Sequence, residues 1–268
     1  MLVPRHLIPG TTLSISLLGL GTVKFGRNQG VKYPTAFELP NDQAISELLD
    51  LARDLGINLL DTAPAYGISE ERLGKLLAGQ RHHWILSTKT GEEFEDGASR
   101  FDFSAAHTQA SVERSLKRLR TDYLDLVLIH SNGDDLAVLE QTEVVPTLQR
   151  LKRDGKVRAI GFSGKTVEGG LAALQHLDVA MVTYNQVETS EASVIRYAYA
   201  HQKGIFIKKA FASGHSLHGA QHDSVSTAFE HILSVPGVTS IIAGTINPKH
   251  LKDNATRLAA AWQNRSPH

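Results

Sequence analysis

Four polar residues of different types stand where they could act together: Asp61, Tyr66, Lys89 and His130. Asp61 and Lys89 each close an apolar, β-rich run, Tyr66 lies on the segment just after Asp61, and His130 closes the next such run. A buried lysine beside a tyrosine hydroxyl lowers the pKa of the phenol, and a carboxylate keeps that lysine charged and in place. Together they make a tunable proton donor. An imidazole within reach of the same point could donate a hydrogen bond to an oxygen on which negative charge develops. Taken singly each residue has an ordinary reading, since a strand-end Asp is more often a turn former and a lone Tyr or Lys more often a surface residue. Their joint occurrence at successive strand ends favours the chemical reading.

The elements that must position them alternate. A strand-like run at 17–22 is followed by a helical pattern in which Asn41 and Asp42 offer caps, Ile45, Leu48, Leu49, Ala52 and Leu55 recur at helical spacing, and Gly56 stops the helix. Further strands are expected at 57–61, 83–89, 124–130, 157–162, 179–184, 205–209 and 238–243. Helices are expected at 69–78, 104–119, up to Gly155, near Leu171, and at 191–201, 226–233 and 248–261. About eight strands alternating with about eight helices is the tally of an α/β fold, the (β/α)8 TIM barrel. An open doubly wound sheet is the rival architecture, but Gly19, Gly21 and Gly26 do not form the glycine-rich turn that opens a helix in that fold. The stretch 7–16, with Pro9-Gly10 between two apolar runs, reads as a short N-terminal β-hairpin capping the bottom of the barrel. Without a linker, a repeat or a low-complexity tract, residues 1–268 are expected to form one domain.

Charge and composition narrow the partners. Lys+Arg and Asp+Glu both number 28 in the 268 residues, so no net field favours nucleic acid or an anionic membrane. There is no cysteine, which removes disulfides, thiolate nucleophiles and Cys-bound metals and suits a reducing compartment. No apolar run is long enough to span a bilayer and the start lacks the apolar core of a signal peptide, so a cytoplasmic protein is expected. His82, His83, His215, His218 and His222 lack metal-binding spacing backed by carboxylates, and no metal site is expected.

The residues resemble the aldo-keto reductase family. The resemblance is carried by 60–67 (LDTAPAYG), 69–74 (SEERLG), 87–89 (STK), 122–126 (DYLDL), 128–130 (LIH), 155–163 (GKVRAIGFS) and 184–186 (YNQ), and runs from about Gly19 to Asn254. It implies hydride transfer from a bound nicotinamide to an aldehyde or ketone. Tyr66 would be the general acid, Lys89 its pKa-lowering neighbour, Asp61 the partner of Lys89 and His130 the carbonyl-orienting group. Ser163 and Gln186 match residues that hold the nicotinamide carboxamide, with Gly164 where an Asn is usual. Gly21 and Thr22 match the nicotinamide side, and Asn254 the adenine contact.

The usual phosphate site of a barrel lies after strands seven and eight. The first of these loops contains Lys208, Lys209, Ala210, Phe211, Ser213 and Gly214; the second contains Gly244, Thr245 and Asn247, with Asn247 capping a helix whose first turn holds Pro248 and His250. An aromatic residue that commonly stacks on the nicotinamide falls at about Lys208. The basic pair common around the adenosine 2′-phosphate falls at Gly244 and His250, which leaves Thr245, Asn247 and His250 as phosphate contacts. NADP(H) is expected, with NAD(H) the alternative, together with a small-molecule carbonyl substrate and a monomer or weak homo-oligomer. Phe25, Phe101 and Phe103 are expected to wall an open substrate pocket. Two other functions share the same residues: a cofactor-binding scaffold or sensor with little turnover, and an aldolase forming a Schiff base through Lys89.

Overall fold

The computed structural model describes residues 2–31, 36–211 and 223–265. The chain begins with β1 (Arg5–Leu7) and β2 (Ser14–Ser16), then β3 (Leu18–Gly21) and the short α1 (Val23–Gly26). Next come α2 (Asp42–Asp54), β4 (Leu59–Asp61), α3 (Ser69–Leu76), β5 (Ile85–Thr90), β6 (Glu92–Glu95), β7 (Ala98–Phe101), α4 (Ala105–Leu119) and β8 (Leu124–His130). The remainder is α5 (Asp135–Glu140), α6 (Val144–Arg153), β9 (Val157–Ser163), α7 (Val167–His176), β10 (Val179–Thr183), α8 (Ala192–Ala200), β11 (Gly204–Lys208), α9 (Asp223–Leu233), β12 (Ser240–Ala243) and α10 (Pro248–Asn264).

Eight parallel strands close in the order β3-β4-β5-β8-β9-β10-β11-β12, with β12 paired back onto β3. This is the (β/α)8 barrel expected from the alternation, and local chemistry explains its elements. In α2 the Asn41 side chain accepts from the Ala44 amide, Ile45, Leu48, Leu49 and Ala52 form the buried stripe, and Gly56 leaves the helix at φ +88°. In α4 Ser104 caps the His107 amide. β1 and β2 form the expected antiparallel hairpin, and Ile8, Leu13 and Ile15 plug the barrel floor against Leu59, Leu126, Leu128, Val179 and Phe206.

Two features depart from the sequence reading. The segment expected to end in one helix at Gly155 holds two, α5 and α6. And the stretch between β5 and α4, where no element was expected, folds as an antiparallel hairpin of β6 and β7, with Glu95 opposite Ala98. Its two-residue turn, Asp96-Gly97, has φ +52° and +80°. Positive φ at both central positions is the geometry that selects Asp-Gly, so that dipeptide was the signal for this hairpin.

Candidate active site

Side-chain alternation along the strands assembles the site. Leu126 and Leu128 belong to the interior cluster while Val127 and Ile129 pack outward against the helices, so His130 continues the inward set. The same parity applies to Leu59 before Asp61, Ile85 before Ser87 and Lys89, Ala159 before Gly161 and Ser163, and Phe206 before Lys208. The apolar interior thus ends at the C-terminal mouth in polar residues contributed by successive strands, which is where barrel chemistry collects.

Asp61 and Lys89 form a buried ion pair in this ring, with side-chain exposures of 4% and 2%. Lys89 Nζ donates to Asp61 Oδ1 at 2.9 Å, to Oδ2 at 2.8 Å and to the Thr62 carbonyl at 2.9 Å, while Ser87 Oγ donates to Asp61 Oδ1 at 3.2 Å. Burial disfavours the ammonium, but Asp61, with Tyr66, outweighs it and holds the Lys89 pKa above its ordinary value. Behind β5, Thr88 Oγ1 donates to the buried Glu70 at 2.6 Å, which anchors the outward face of the strand that carries Lys89.

Tyr66 ends a single 3₁₀ turn, Pro64–Tyr66, and its ring centre lies 4.7 Å from Lys89 Nζ. Two glycines fix that turn. A Cβ on Gly67, at φ +60°, would sit 2.3 Å from the Gly26 carbonyl, and one on Gly26 would sit 2.4 Å from the Tyr66 carbonyl. The pKa of the phenol is raised from its usual value, because burial outweighs the pull of Lys89. The lysine alone would lower it, as expected from the sequence; removal from water is the larger influence.

His130 is partly exposed at the mouth, and its Nδ1 lies 2.6 Å from Glu92 Oε2 of the hairpin, a close approach without full hydrogen-bond alignment. Burial lowers the imidazole pKa, Glu92 opposes that, and Lys89 and Lys208 add to it. Glu92 is held at about 2: burial would raise it, but His130, Ser99 and Arg27 prevail. Arg27 fastens the neighbourhood by donating to the Ala65 carbonyl at 3.0 Å while its guanidinium lies 3.4 Å from the centre of the Phe94 ring. Neither Glu92 nor Arg27 was picked out from the sequence, because neither sits at a barrel strand end.

On the opposite side of the mouth, Lys208 Nζ donates to Ser163 Oγ at 3.1 Å and to the Gly164 carbonyl at 2.6 Å. Burial brings Lys208 down to about 8 despite the nearby Glu191 carboxylate. Gly164 has no room for the Asn usual in the family: its Cβ would meet the Phe162 ring at 2.7 Å and Asp135 Oδ2 at 2.9 Å. Gln186 is exposed, whereas its neighbour Asn185 is buried and donates to the Lys209 carbonyl at 3.0 Å. Thr22 is fully buried, and its hydroxyl donates to the Asp61 carbonyl at 3.0 Å and accepts from Ser69 at 2.9 Å. Gly21 ends β3 next to Gly244, which follows β12.

Beyond β11, Lys209 is exposed, Ala210 is buried and the Phe211 ring packs edge-on against Phe229 at 5.3 Å, while Ser213 and Gly214 lie outside the described residues. Beyond β12, the hydroxyl of the buried Thr245 accepts from the Asn247 amide at 3.0 Å, and the Asn247 side chain caps α10 by accepting from the Lys249 amide at 2.9 Å. Two of the three side chains expected at a phosphate are therefore bonded within their own turn. His250 is exposed there beside Lys249, a cation the sequence reading passed over, and Asn254 is buried one turn on. Of the expected pocket walls, Phe101 is 38% exposed but Phe25 is fully buried and belongs to the core. Phe103, in ring contact with Phe101 at 6.2 Å, is largely buried as well. The wall role fails for Phe25 because α1 turns its ring inward.

The family model for the aldo/keto reductase family matches residues 17–214. The chain belongs to the aldo/keto reductase family. A crystal structure from Pseudomonas aeruginosa, designated an aldo-keto reductase, superposes with a TM-score of 0.89 at 56% identity, covering 96% of this chain and 95% of that one. Aldo-keto reductase YhdN of Bacillus subtilis is 36% identical over 71% of this chain and 57% of its own length. L-galactose dehydrogenase of Arabidopsis thaliana is 38% identical over 58% of this chain and 46% of its own length. The chain thus spans about half the length of the curated relatives it matches. The family is one of oxidoreductases that use nicotinamide cofactors. No helix among the described residues is long and apolar enough to cross a membrane.

Proposed function

We propose that the chain, acting as one barrel unit, reduces an aldehyde or ketone to the alcohol with NADPH, with Tyr66 as the general acid. The observation that carries this reading is the buried Lys89–Asp61 pair set against the Tyr66 ring at the barrel mouth. A dinucleotide fits the residues opposite. A Cβ on Gly21 would meet Ile242 at 3.2 Å and the Gly244 Cα at 3.5 Å, so glycine lets the chain ends of β3 and β12 approach closely at the mouth. Gly21, Ser163 and Gln186 would hold the nicotinamide end. The chain after β11 and the first turn of α10, with Lys249 and His250, would hold the phosphates, and Asn254 the adenine. When bound, the reduced nicotinamide supplies a hydride to the carbonyl carbon.

Tyr66 gives its hydroxyl proton to the carbonyl oxygen as negative charge develops there, and the oxygen leaves as an alcohol. Lys89, fixed 4.7 Å from the ring, stabilises the phenolate left behind. Asp61 keeps Lys89 charged and beside the Tyr66 ring. His130, at the same mouth, would face the carbonyl oxygen. The Schiff-base alternative is disfavoured, because Lys89 spends its three N–H groups on Asp61 and Thr62 and its raised pKa leaves no lone pair to attack a carbonyl. We place the enzyme in the cytoplasm, with a small-molecule substrate, as a monomer or weak homo-oligomer. Titration of the protein with NADPH and NADH, followed by turnover on a panel of aldehydes and ketones, tests the reading. Tight NADPH binding and carbonyl-dependent oxidation of NADPH support it; failure to bind either nicotinamide removes it.

A further inference from the structure

The hairpin β6–β7 is an insertion at the mouth, and the residue that opens it touches the site. Glu92 brings a carboxylate oxygen within 2.6 Å of His130 Nδ1, and the Glu92 side chain is itself only 13% exposed. Three contacts hold it there. Its other oxygen accepts from Ser99 across the hairpin, its backbone pairs opposite Phe101, and the hairpin is braced by Arg27 against Phe94. An ionised carboxylate accepts hydrogen bonds and donates none, so the nitrogen beside it must be the one that carries the proton. A neutral imidazole has a single N–H. If that proton is at Nδ1, Nε2 has only a lone pair.

We infer that Glu92 is a positioning residue: its carboxylate keeps the neutral ring of His130 in the Nδ1–H form, so that Nε2 accepts hydrogen bonds when neutral and donates them only as the imidazolium. This rests on the reading that His130 faces the substrate oxygen. Its consequence is directional. A carbonyl oxygen needs a donor and meets one only on the charged ring, whereas an alcohol hydroxyl needs an acceptor and meets one on the neutral ring. Six other groups bear on this pair. Lys89 of β5 and Lys208 of β11 face the imidazole and oppose its protonation; Arg27 after α1 faces Glu92 and helps to keep it ionised. Tyr66 interacts with both Lys89 and Glu92, Asp61 cancels much of the Lys89 charge, and Ser99 bonds to the carboxylate.

The test is nitrogen NMR of the protein labelled with ¹⁵N-histidine, without cofactor, across pH 4–9, with the His130 signals among the 13 histidines identified by their loss in His130→Gln. The expected result is a neutral His130 predominantly in the Nδ1–H form. In Glu92→Gln, whose amide can donate to Nδ1, the Nε2–H form should gain and the imidazole pKa should fall by about one unit or more. A wild-type ring predominantly in the Nε2–H form overturns the inference, and that spectrum decides it even if the variant misfolds. An unchanged tautomer and pKa in a folded Glu92→Gln overturn it too. The pH profile of carbonyl reduction supplies a separate arm: its alkaline limb should follow the His130 pKa, and in Glu92→Gln that limb should weaken as the neutral ring gains an Nε2–H donor. Absence of turnover on every carbonyl, with the tautomer as expected, counts against the reductase reading and leaves the Glu92–His130 relation standing.

Discussion

The β4, β5 and β8 side of the mouth and the β11 and β12 side are built on different principles. On the first, Asp61, Lys89 and Ser87 are buried and joined through Asp61, so the Tyr66 ring stands next to a charge already fixed by its partners. On the second, Thr245 and Asn247 satisfy their own turn, and what faces outward is the first turn of α10 with Lys249 and His250. The difference matches the two proposed tasks. Moving a proton needs a preorganised low-dielectric setting, whereas holding a phosphate needs backbone amides and cations that remain partly hydrated. A substitution on the first side should therefore strike turnover or stability hard, and one on the second should shift cofactor affinity gently.

The largest expected effect is that of Lys89→Met. It leaves Asp61 as a buried carboxylate without its cation, and breaking such a pair costs on the order of 3–5 kcal/mol. Urea unfolding should record that loss and turnover should collapse with it; unchanged stability would mean that the pair is not a buried one. Tyr66→Phe keeps the ring and removes the proton. Reduction should fall by about 10²- to 10⁴-fold on a substrate whose chemical step limits the rate, with NADPH affinity little changed. Near-normal turnover would transfer the acid role elsewhere.

Smaller effects sharpen the other side of the comparison. Gly164→Asn restores the usual family residue but drives a Cβ against Phe162 and Asp135, so it should cost stability, about 1–3 kcal/mol by thermal or urea unfolding. A neutral result would show that α5 yields easily. Lys249→Ala with His250→Ala should weaken NADPH binding by about tenfold and leave NADH nearly untouched, and the wild-type preference for NADPH should shrink with added salt. Equal losses for the two cofactors would put the 2′-phosphate elsewhere. The smallest is a pH effect. His130 and Glu92 both have pKa values below their ordinary 6.5 and 4.5, so the unfolded chain binds more protons than the native one. The stability they contribute is complete above about pH 6.5 and is lost as pH falls, first through the imidazole and then toward the Glu92 value of about 2. The melting temperature should drop on acidification across that window, and His130→Gln should flatten the upper part of the drop.

The proposed catalytic quartet was legible because its members sit at strand ends or, for Tyr66, on the turn just after one. Asp61, Lys89 and His130 close β-rich runs whose inward parity is set by Leu59, Ile85 and Leu128, so strand period and barrel closure together carry them to one rim. Glu92 was invisible for the opposite reason. Nothing in its immediate sequence marks it, although Asp96-Gly97 does announce the turn that folds it back. The phosphate loops were half legible. Asn247 and Pro248 marked the helix start, but whether the Thr245 and Asn247 side chains face a ligand or their own turn depends on a hydrogen bond between residues two apart.

By itself the amino-acid sequence determined the alternation of strands and helices, the caps at Asn41, Ser104 and Asn247, the bottom hairpin and the family, because each rests on local spacing and on period-two or helical patterning. Only the tertiary structure decided which polar groups are already spent and on whom. Lys89 is tied to Thr62 as well as Asp61, Lys208 to Ser163 and Gly164, and His130 stands against Glu92. Such partnerships join residues distant along the chain through burial and a few tenths of an ångström, and those quantities exist only once the barrel has closed.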